Sequence, residues 1–352
     1  MNTIIAQITQ DPLENEKIFA QAGEILRAGG LVAFPTETVY GLGGDAFDED
    51  AARKIYAAKG RPSDNPLIVH IADKADLYKL SREVTKEAEL LSEKFWPGPL
   101  TMILKKQPSV PSTITGGLDT VAIRMPVHKT AMEMIKASGV YVAAPSANLS
   151  GKPSPTRASH CIHDLKGRVD MIIADDTVDI GVESTIIDLS SEVPTLLRPG
   201  YITLEQLQEV LGHVEVDPAI KGAVVPDGVV PKAPGMKYKH YAPDASLSIV
   251  EGEPDAVVAK INELVAEGMK AGKKVGVMAT EETKGRYPEG IVRIVGSHKD
   301  EATVAHNLFA VLREFDELKV DLIYSEGFST EAVGTAVMNR LIKAAGHTII
   351  MA

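Results

Sequence analysis

One cysteine, Cys161, stands in a chain of 352 residues. No intramolecular disulfide can form, and the chain suits a reducing compartment in which Cys161 serves as a small buried hydrophobe. Basic residues are outnumbered, 37 Lys and Arg against 48 Asp and Glu, for a formal net charge of -11. No global positive field exists to bind nucleic acid by counterion release, so any RNA contact has to be local or indirect. Apolar runs never approach the length that crosses a bilayer, and Met1 to Ile8 has neither a basic lead nor a long apolar stretch. A soluble, cytoplasmic protein is therefore expected. The G-x-x-x-x-G-K-[ST] cradle for ATP phosphates is missing, and Gly41-Leu42-Gly43-Gly44 fails the dinucleotide spacing and reads as a loop. The nine histidines show no metal-ligand spacing, and Ser146 lacks the paired glycines of a nucleophile elbow.

What is present suffices for a substantial core: 44% of residues are hydrophobic, and the length favours two domains. Ile18, Ala22, Ile25 and Leu26 recur at helical spacing after Asn15, and Gly29-Gly30 ends that helix before a strand at Leu31 to Phe34. Further strands are predicted at Leu67 to Ile71, Leu100 to Leu104, Val121 to Ile123, Val140 to Ala144, Met171 to Ala174 and Thr185 to Asp188, with helical patterns between several of them. Thr203 and Gln206 form a capping-box signature for a helix ending near Leu211, where the first domain, 1–212, is expected to close. Residues 213–244 turn to Pro, Gly, Lys and Val without periodicity and read as a linker. This linker carries a dense cluster, Lys237-Tyr238-Lys239-His240-Tyr241, suited to a lid or to a solvated tether. From 245 to 352 strand and helix alternate again, at Leu247 to Val250, around Ile261 and Leu264, at Lys274 to Met278 and Ile291 to Val295, around Leu308 and Leu312, and at Leu322 to Tyr324. That pattern predicts a small parallel-sheet domain.

Polar residues gather at the strand ends of the first domain, as where an open α/β sheet binds ligand at its carboxyl edge. Thr36, Thr38 and Tyr40 follow the strand ending at Phe34, Asn65 precedes a strand, His70 ends it, and Thr120 and Arg124 bracket another. Ser146 and Asn148 follow Ala144, Ser184 opens a later strand and Arg198 closes one. Lys59-Gly60-Arg61, two cations held apart by a glycine, and the polar turn Pro145-Ser146-Ala147-Asn148 together suggest an anion site. Each residue also has a plain structural reading: a solvated helix end for Lys59 and Arg61, a core histidine for His70, turn caps for Ser146 and Asn148, and carboxylate partners for the arginines. Spacing alone leads as far as an anion-binding α/β protein.

The runs Phe34-Pro35-Thr36-Glu37-Thr38-Val39-Tyr40-Gly41-Leu42, Lys59-Gly60-Arg61-Pro62, Asn65-Pro66-Leu67, Trp96-Pro97-Gly98-Pro99-Leu100-Thr101 and Pro145-Ser146-Ala147-Asn148 closely resemble the threonylcarbamoyl-AMP synthase family of YrdC-like proteins. Pro234-Gly235-Met236-Lys237-Tyr238-Lys239-His240-Tyr241-Ala242-Pro243 resembles the longer form of that family, which adds a C-terminal domain. The resemblance implies a twisted mixed-sheet YrdC-like catalytic domain, a linker and a small Rossmann-like parallel-sheet domain. It also implies a nucleotidyltransferase reaction, in which L-threonine, bicarbonate and ATP give L-threonylcarbamoyl-adenylate and pyrophosphate. Partner proteins then use the adenylate to modify ANN-decoding tRNAs.

Carried over by position, the resemblance assigns Thr38, His70, Arg124, Ala144 and Ser184 to threonine, and Arg61, Asn65, Thr120, Ser146, Ser154, Arg198 and Tyr241 to ATP. It implies Lys59, Arg61, Ser146 and Asn148 as the catalytic set, with Lys59, Arg61 and Arg198 expected to offset anionic repulsion and stabilise the departing pyrophosphate. Mg2+ is expected to arrive with ATP, resting on phosphates and water rather than on a protein carboxylate cluster. Tyr241 is expected to act in a lid that excludes water. Two rivals remain at this stage, a non-catalytic RNA-binding module and the carbamoyl-transfer module of hydrogenase maturation. The net acidity opposes the first, and the second normally brings acylphosphatase and zinc-finger segments that are absent here.

Overall fold

Asp11 starts the first helix, accepting from the Leu13 amide with its side chain while Pro12 occupies the first turn. The helix therefore begins ahead of Asn15, and Gly29 closes it at φ 72°. The computed structural model describes residues 1–175, 178–221, 231–234 and 240–352. Their strands in the larger sheet are β1 (Ile4–Gln7), β2 (Val32–Phe34), β3 (Gly41–Asp45), β4 (Ile68–His70), β5 (Leu100–Lys105), β6 (Thr120–Arg124), β7 (Val142–Ala144), β8 (Met171–Ala174), β9 (Thr185–Asp188), β10 (Thr195–Arg198) and β11 (Glu215–Val216). Their order across the sheet is β1-β8-β2-β3-β7-β4-β6-β5-β9-β10-β11, with parallel and antiparallel pairs mixed. The expected strands are all present.

The glycine cluster read as a loop is instead strand β3. A side chain there would strike its neighbours: a Cβ on Gly43 would lie 2.6 Å from Val142 Cγ1, and one on Gly44 would lie 3.2 Å from Ala51, Ile55 and Leu31. These glycines serve close packing rather than a turn.

Helices of this part are α1 (Pro12–Arg27), α2 (Glu49–Lys59), α3 (Leu77–Leu80), α4 (Lys86–Phe95), α5 (Lys129–Ser138), α6 (Ala158–Leu165) and α7 (Leu204–Leu211). The capping box of Thr203 and Gln206 forms as expected. Phe19, Ala22 and Leu26 of α1 and Ala131, Met134 and Ile135 of α5 bury against Val32, Phe34, Val142, Ala144, Met171 and Ile173. They cover one sheet face over β2, β7 and β8. Farther along that face, Ile68, Ile103, Ala122, Ile186 and Leu197 form a separate apolar cluster whose remaining member is Ala233 of the linker. The stretch after 212 thus begins by extending the sheet as β11 and returns to lie on its floor. Lys232 bonds Asp188 at 3.0 Å, and Pro234 O accepts from Arg198 at 3.3 Å.

The chain divides into two compact units. The first comprises Met1–Ser150, Pro155–Asp179 and Glu183–Lys237, and the second Gly151–Ser154, Ile180–Val182 and Tyr238–Ala352. In the second, β12 (Ser246–Glu251), β13 (Val275–Thr280), β14 (Ile291–Gly296), β15 (Leu322–Glu326) and β16 (Ile349–Met351) form a wholly parallel sheet of order β14-β13-β15-β12-β16. Helices α8 (Pro254–Lys270), α9 (Glu301–Glu317) and α10 (Ala332–Ala344) pack around it. The small parallel-sheet domain is as expected, with α10 and β16 added beyond the predicted elements.

Residues 151–154 are built into this second unit. Arg313 donates from Nε at 3.1 Å and from a terminal nitrogen at 2.6 Å to Pro153 O, and the Ala242 amide donates to Gly151 O at 2.9 Å. Arg313→Ala should leave that buried carbonyl without these donors and cost about 1.5–3 kcal/mol. Faster amide hydrogen exchange over 151–154 is expected, and unchanged protection would remove Arg313 as its anchor.

Glu326, at the end of β15, ties three strand ends together. It accepts from Thr280 at 3.1 Å, from Thr283, from Tyr287 at 2.7 Å, and pairs with His298 at 3.1 Å. The bond to Glu326 raises the His298 pKa above the ordinary imidazole value, against the opposing effect of burial. A raised folded-state value means that the pair's contribution is fully present below the unfolded value, about 6.5, and is lost as pH climbs through the folded value. Denaturant midpoints of the second unit should fall from pH 6 to pH 8 in the native chain and flatten in His298→Ala.

Candidate active site

Alternation along β6 places Thr120, Ala122 and Arg124 on one face of the sheet. Register partners share that face: Ile68 stands beside Ala122 and Ala144, and His70 beside Arg124 and Val142. Arg124 also faces Thr101 of β5. The site thus runs along the strands, from His70 and Arg124 at one end to Thr120 and the segment before β4 at the other, roughly 13 Å. The sequence pattern suggested a single carboxyl edge. The sheet is mixed, so polar residues from amino and carboxyl ends share the face instead.

Burial is the largest influence on His70, followed by the Arg124 guanidinium, and together they push its pKa down to about 3. It is a neutral imidazole, its Nδ1 3.1 Å from Ile68 O and its ring edge-on to Phe34 at 5.9 Å. Arg124 is held by two partners: one terminal nitrogen donates to Thr38 Oγ1 at 2.9 Å, the other to Glu37 Oε1 at 2.6 Å. Its Nε is buried with no hydrogen-bond partner. Thr38 is steadied by Thr36, whose hydroxyl lies 2.8 Å from that of Thr38 and donates to Val39 O at 2.6 Å. A second group follows across the sheet. Thr101 and Ser184 hydroxyls lie 2.8 Å apart, and Arg198 donates to Ser184 O at 3.0 Å and to Ser184 Oγ at 3.2 Å. Thr38, His70, Arg124 and Ala144 are therefore neighbours on one face, and Ser184 joins Arg198 on the adjoining strands.

The polar turn is stitched to the start of β3. Ala147 N donates to Tyr40 O at 2.8 Å, Leu42 N to Pro145 O at 2.9 Å, and Gly41 and Ser146 form a bridge. Gly60, at φ 64°, ends α2 so that Lys59 turns inward, where it is buried. Its ammonium donates to Ser146 O, Asn148 O and, at 3.4 Å, Asn148 Oδ1, and Ser146 Oγ donates to that same Oδ1. Lys59, Ser146 and Asn148 are one assembly rather than a solvated helix end. Arg61 folds over the next turn, donating to Asn65 O at 3.3 Å and Pro66 O at 3.2 Å. Asn65 Oδ1 is a buried acceptor without a partner. Tyr56, its pKa pushed up to about 12 by burial, lies 3.2 Å from Asn65 O and 3.1 Å from Thr113 O.

Ser154 and Tyr241 belong to the second unit. Tyr241, at φ 67°, stacks on Phe309 at 5.2 Å with Arg340 6.0 Å from its ring. Lys237, Tyr238 and Lys239 of the linker cluster lie outside the described residues. Among the described residues no group of three or more His, Cys, Asp or Glu side chains is arranged to hold a metal ion, and no helix is long and apolar enough to cross a membrane. Sequence reasoning did not single out Glu37, Lys232 or Asp188. An acidic residue between two threonines directly after a strand was the available sign for Glu37; the Lys232–Asp188 pair, 44 residues apart in sequence, left no local sign.

A mixed α/β sheet that gathers buried arginines, a lysine and orphaned polar atoms around one apolar face fits an enzyme acting on anionic substrates. The chain belongs to the threonylcarbamoyl-AMP synthase family. Residues 24–200 match the Sua5/YciO/YrdC family, described as telomere recombination, and residues 202–346 match the threonylcarbamoyl-AMP synthase C-terminal domain. The chain is 50% identical over 348 residues to the threonylcarbamoyl-AMP synthase of Pyrococcus abyssi, covering 99% of each. It is 49% identical over 344 residues to that of Bacillus subtilis, covering 97% of each. A crystal structure of P. abyssi Sua5 complexed with L-threonine superposes with a TM-score of 0.92 at 48% identity, over 100% of both chains.

Proposed function

We propose that this protein makes L-threonylcarbamoyl-adenylate and pyrophosphate from L-threonine, bicarbonate and ATP, the first step towards N6-threonylcarbamoyladenosine in ANN-decoding tRNAs. The observation that carries this reading is the arrangement along β4 and β6. Neutral His70 and the fixed guanidinium of Arg124 stand at one end of this face. The orphaned Asn65 acceptor precedes β4, and Thr120 opens β6 at the other end. A small amino acid and a nucleotide can lie end to end there. The buried Arg124 Nε is a donor for the threonine carboxylate, with Thr38, His70, Ala144 and Ser184 completing that end. Arg61, Asn65, Thr120, Ser146, Ser154, Arg198 and Tyr241 act on ATP.

The chemistry has two steps. Bicarbonate gives up hydroxide, which leaves as water, to supply CO2; the threonine amine then attacks its carbon, forming a C–N bond as one C=O π bond opens to the carbamate oxygen, with loss of the amine proton. A carbamate oxygen then bonds to the α-phosphorus as the bond to pyrophosphate breaks. All participants in the second step are anionic, so Lys59, Arg61 and Arg198 supply compensating charge, while Lys59, Ser146 and Asn148 hold the turn that positions it. Mg2+ accompanies ATP on its phosphates and water. The linker, 213–244, acts as a lid: the seating of Ala233 on the apolar floor and the Lys232–Asp188 bond support this. The product passes to a tRNA-modifying complex in the cytoplasm, and direct tRNA binding is weak or absent given the net charge of -11.

Incubating purified protein with ATP, bicarbonate and labelled threonine, and omitting each in turn, tests the assignment. Adenylate and pyrophosphate should form only when all three are present. Pyrophosphate release independent of threonine would overturn it.

A further inference from the structure

We infer that Glu37 is a positioning residue for amino acid recognition, fixing the plane of Arg124 so that its Nε faces the threonine carboxylate. The inference rests on the reading of Arg124 as a threonine-site residue. Glu37 touches no substrate in that reading and acts through the arginine.

The geometry is specific. Both side chains of the pair are almost wholly buried, 3% exposed for Glu37 and 5% for Arg124. Each carboxylate oxygen of Glu37 faces a donor: Oε1 takes the Arg124 terminal nitrogen at 2.6 Å, and Oε2 takes the Val127 amide at 3.3 Å. Val127 lies just past β6, so Glu37 holds both Arg124 and the segment that follows its strand. With Thr38 holding the other terminal nitrogen at 2.9 Å, the planar guanidinium cannot rotate without breaking a bond. The donor left over is Nε, buried and unpaired. A buried donor without a partner is costly unless a ligand completes it, so the pair presents a vacant hydrogen bond of fixed direction.

A carboxylate is needed at position 37 for a reason beyond charge. It offers two acceptors to two donors, whereas glutamine offers one acceptor and sets its own amide against the second donor. Aspartate keeps both acceptors but withdraws them by one methylene. Glu37→Gln and Glu37→Asp are therefore expected to loosen Arg124, and the threonine KM should rise about tenfold to a hundredfold, the range seen when a group that orients a ligating residue is lost. The ATP KM should stay within about twofold, because the loosened group sits at the threonine end only.

Steady-state pyrophosphate release with each substrate varied in turn, calorimetric threonine binding and a thermal melt on the same preparations test this, with Arg124→Lys as a parallel arm. A selective rise in threonine KM and Kd in folded Glu37 variants, matched by Arg124→Lys, is the expected result. A parallel rise of both KM values, or a fall in kcat alone with threonine affinity intact, would mean that Glu37 serves only the fold and overturns the inference. If Arg124→Lys binds threonine normally, the threonine-site reading itself fails; if Arg124→Lys loses binding while the Glu37 variants keep it, only the inference fails.

Discussion

Lys59→Ala is expected to lower the turnover of adenylate formation by about 100-fold or more, the range for removal of a fixed charge-stabilising donor. Two losses combine in that figure. One is the positive charge proposed to stand beside a triphosphate and a carbamate. The other is the assembly of the turn, since the ammonium joins Ser146 O, Asn148 O and Asn148 Oδ1 from a buried position. A tetrahedral ammonium reaches three acceptors lying in different directions, which a planar guanidinium does not, so Lys59→Arg should recover little of the rate although it restores the charge. Steady-state pyrophosphate release measures both variants. Undiminished release from Lys59→Ala would exclude this residue from the chemistry, and full recovery by arginine would leave charge as its whole contribution.

Arg124→Leu should abolish measurable threonine binding and also destabilise the first unit by about 3–5 kcal/mol, because it strands the Glu37 carboxylate in a buried setting. The stability loss belongs to the broken pair rather than to lost attraction, and this has a consequence. Replacing both members, Arg124→Leu with Glu37→Leu, should regain much of the loss while leaving threonine binding absent. Chemical denaturation followed alongside calorimetry separates the two effects. A double variant as unstable as Arg124→Leu alone would show that the guanidinium contributes packing instead.

Much of this was legible in the chain. Apolar runs bounded by polar turns marked β2, β4 to β9 and the strands β12 to β15, because a buried strand needs a continuous apolar stretch whatever its partner. The capping box of Thr203 and Gln206 is a local bond, so it was readable from four residues. Strand β3 was not, since Gly41, Gly43 and Gly44 owe their places to Phe34, Val142 and Ala51, residues that only the fold brings near. The start of α1 was misplaced because Asp11 and Asn15 are both caps by type, and only the Asp11 bond to the Leu13 amide decides between them. Among the proposed site residues, His70 and Arg124 were singled out by type and motif. Their state was not: the neutral imidazole follows from burial and from a cation 54 residues later in the chain, and the arginine's open Nε follows from Glu37 and Thr38.

By itself, the sequence determined the alternation of helix and strand, the presence of two domains, the lack of disulfides, and motifs that resemble one enzyme family, because each depends on residue type and spacing along the chain. The resemblance already implied a mixed sheet, but tertiary structure alone decided which polar groups from the two strand directions share one face. It decided too that Lys59 turns inward to brace the 146–148 turn, and that residues 151–154 are built into the second unit. Those outcomes rest on burial and on bonds between residues distant in sequence, where the free energy of pairing a buried charge or orphaned carbonyl depends on neighbours that no local pattern encodes.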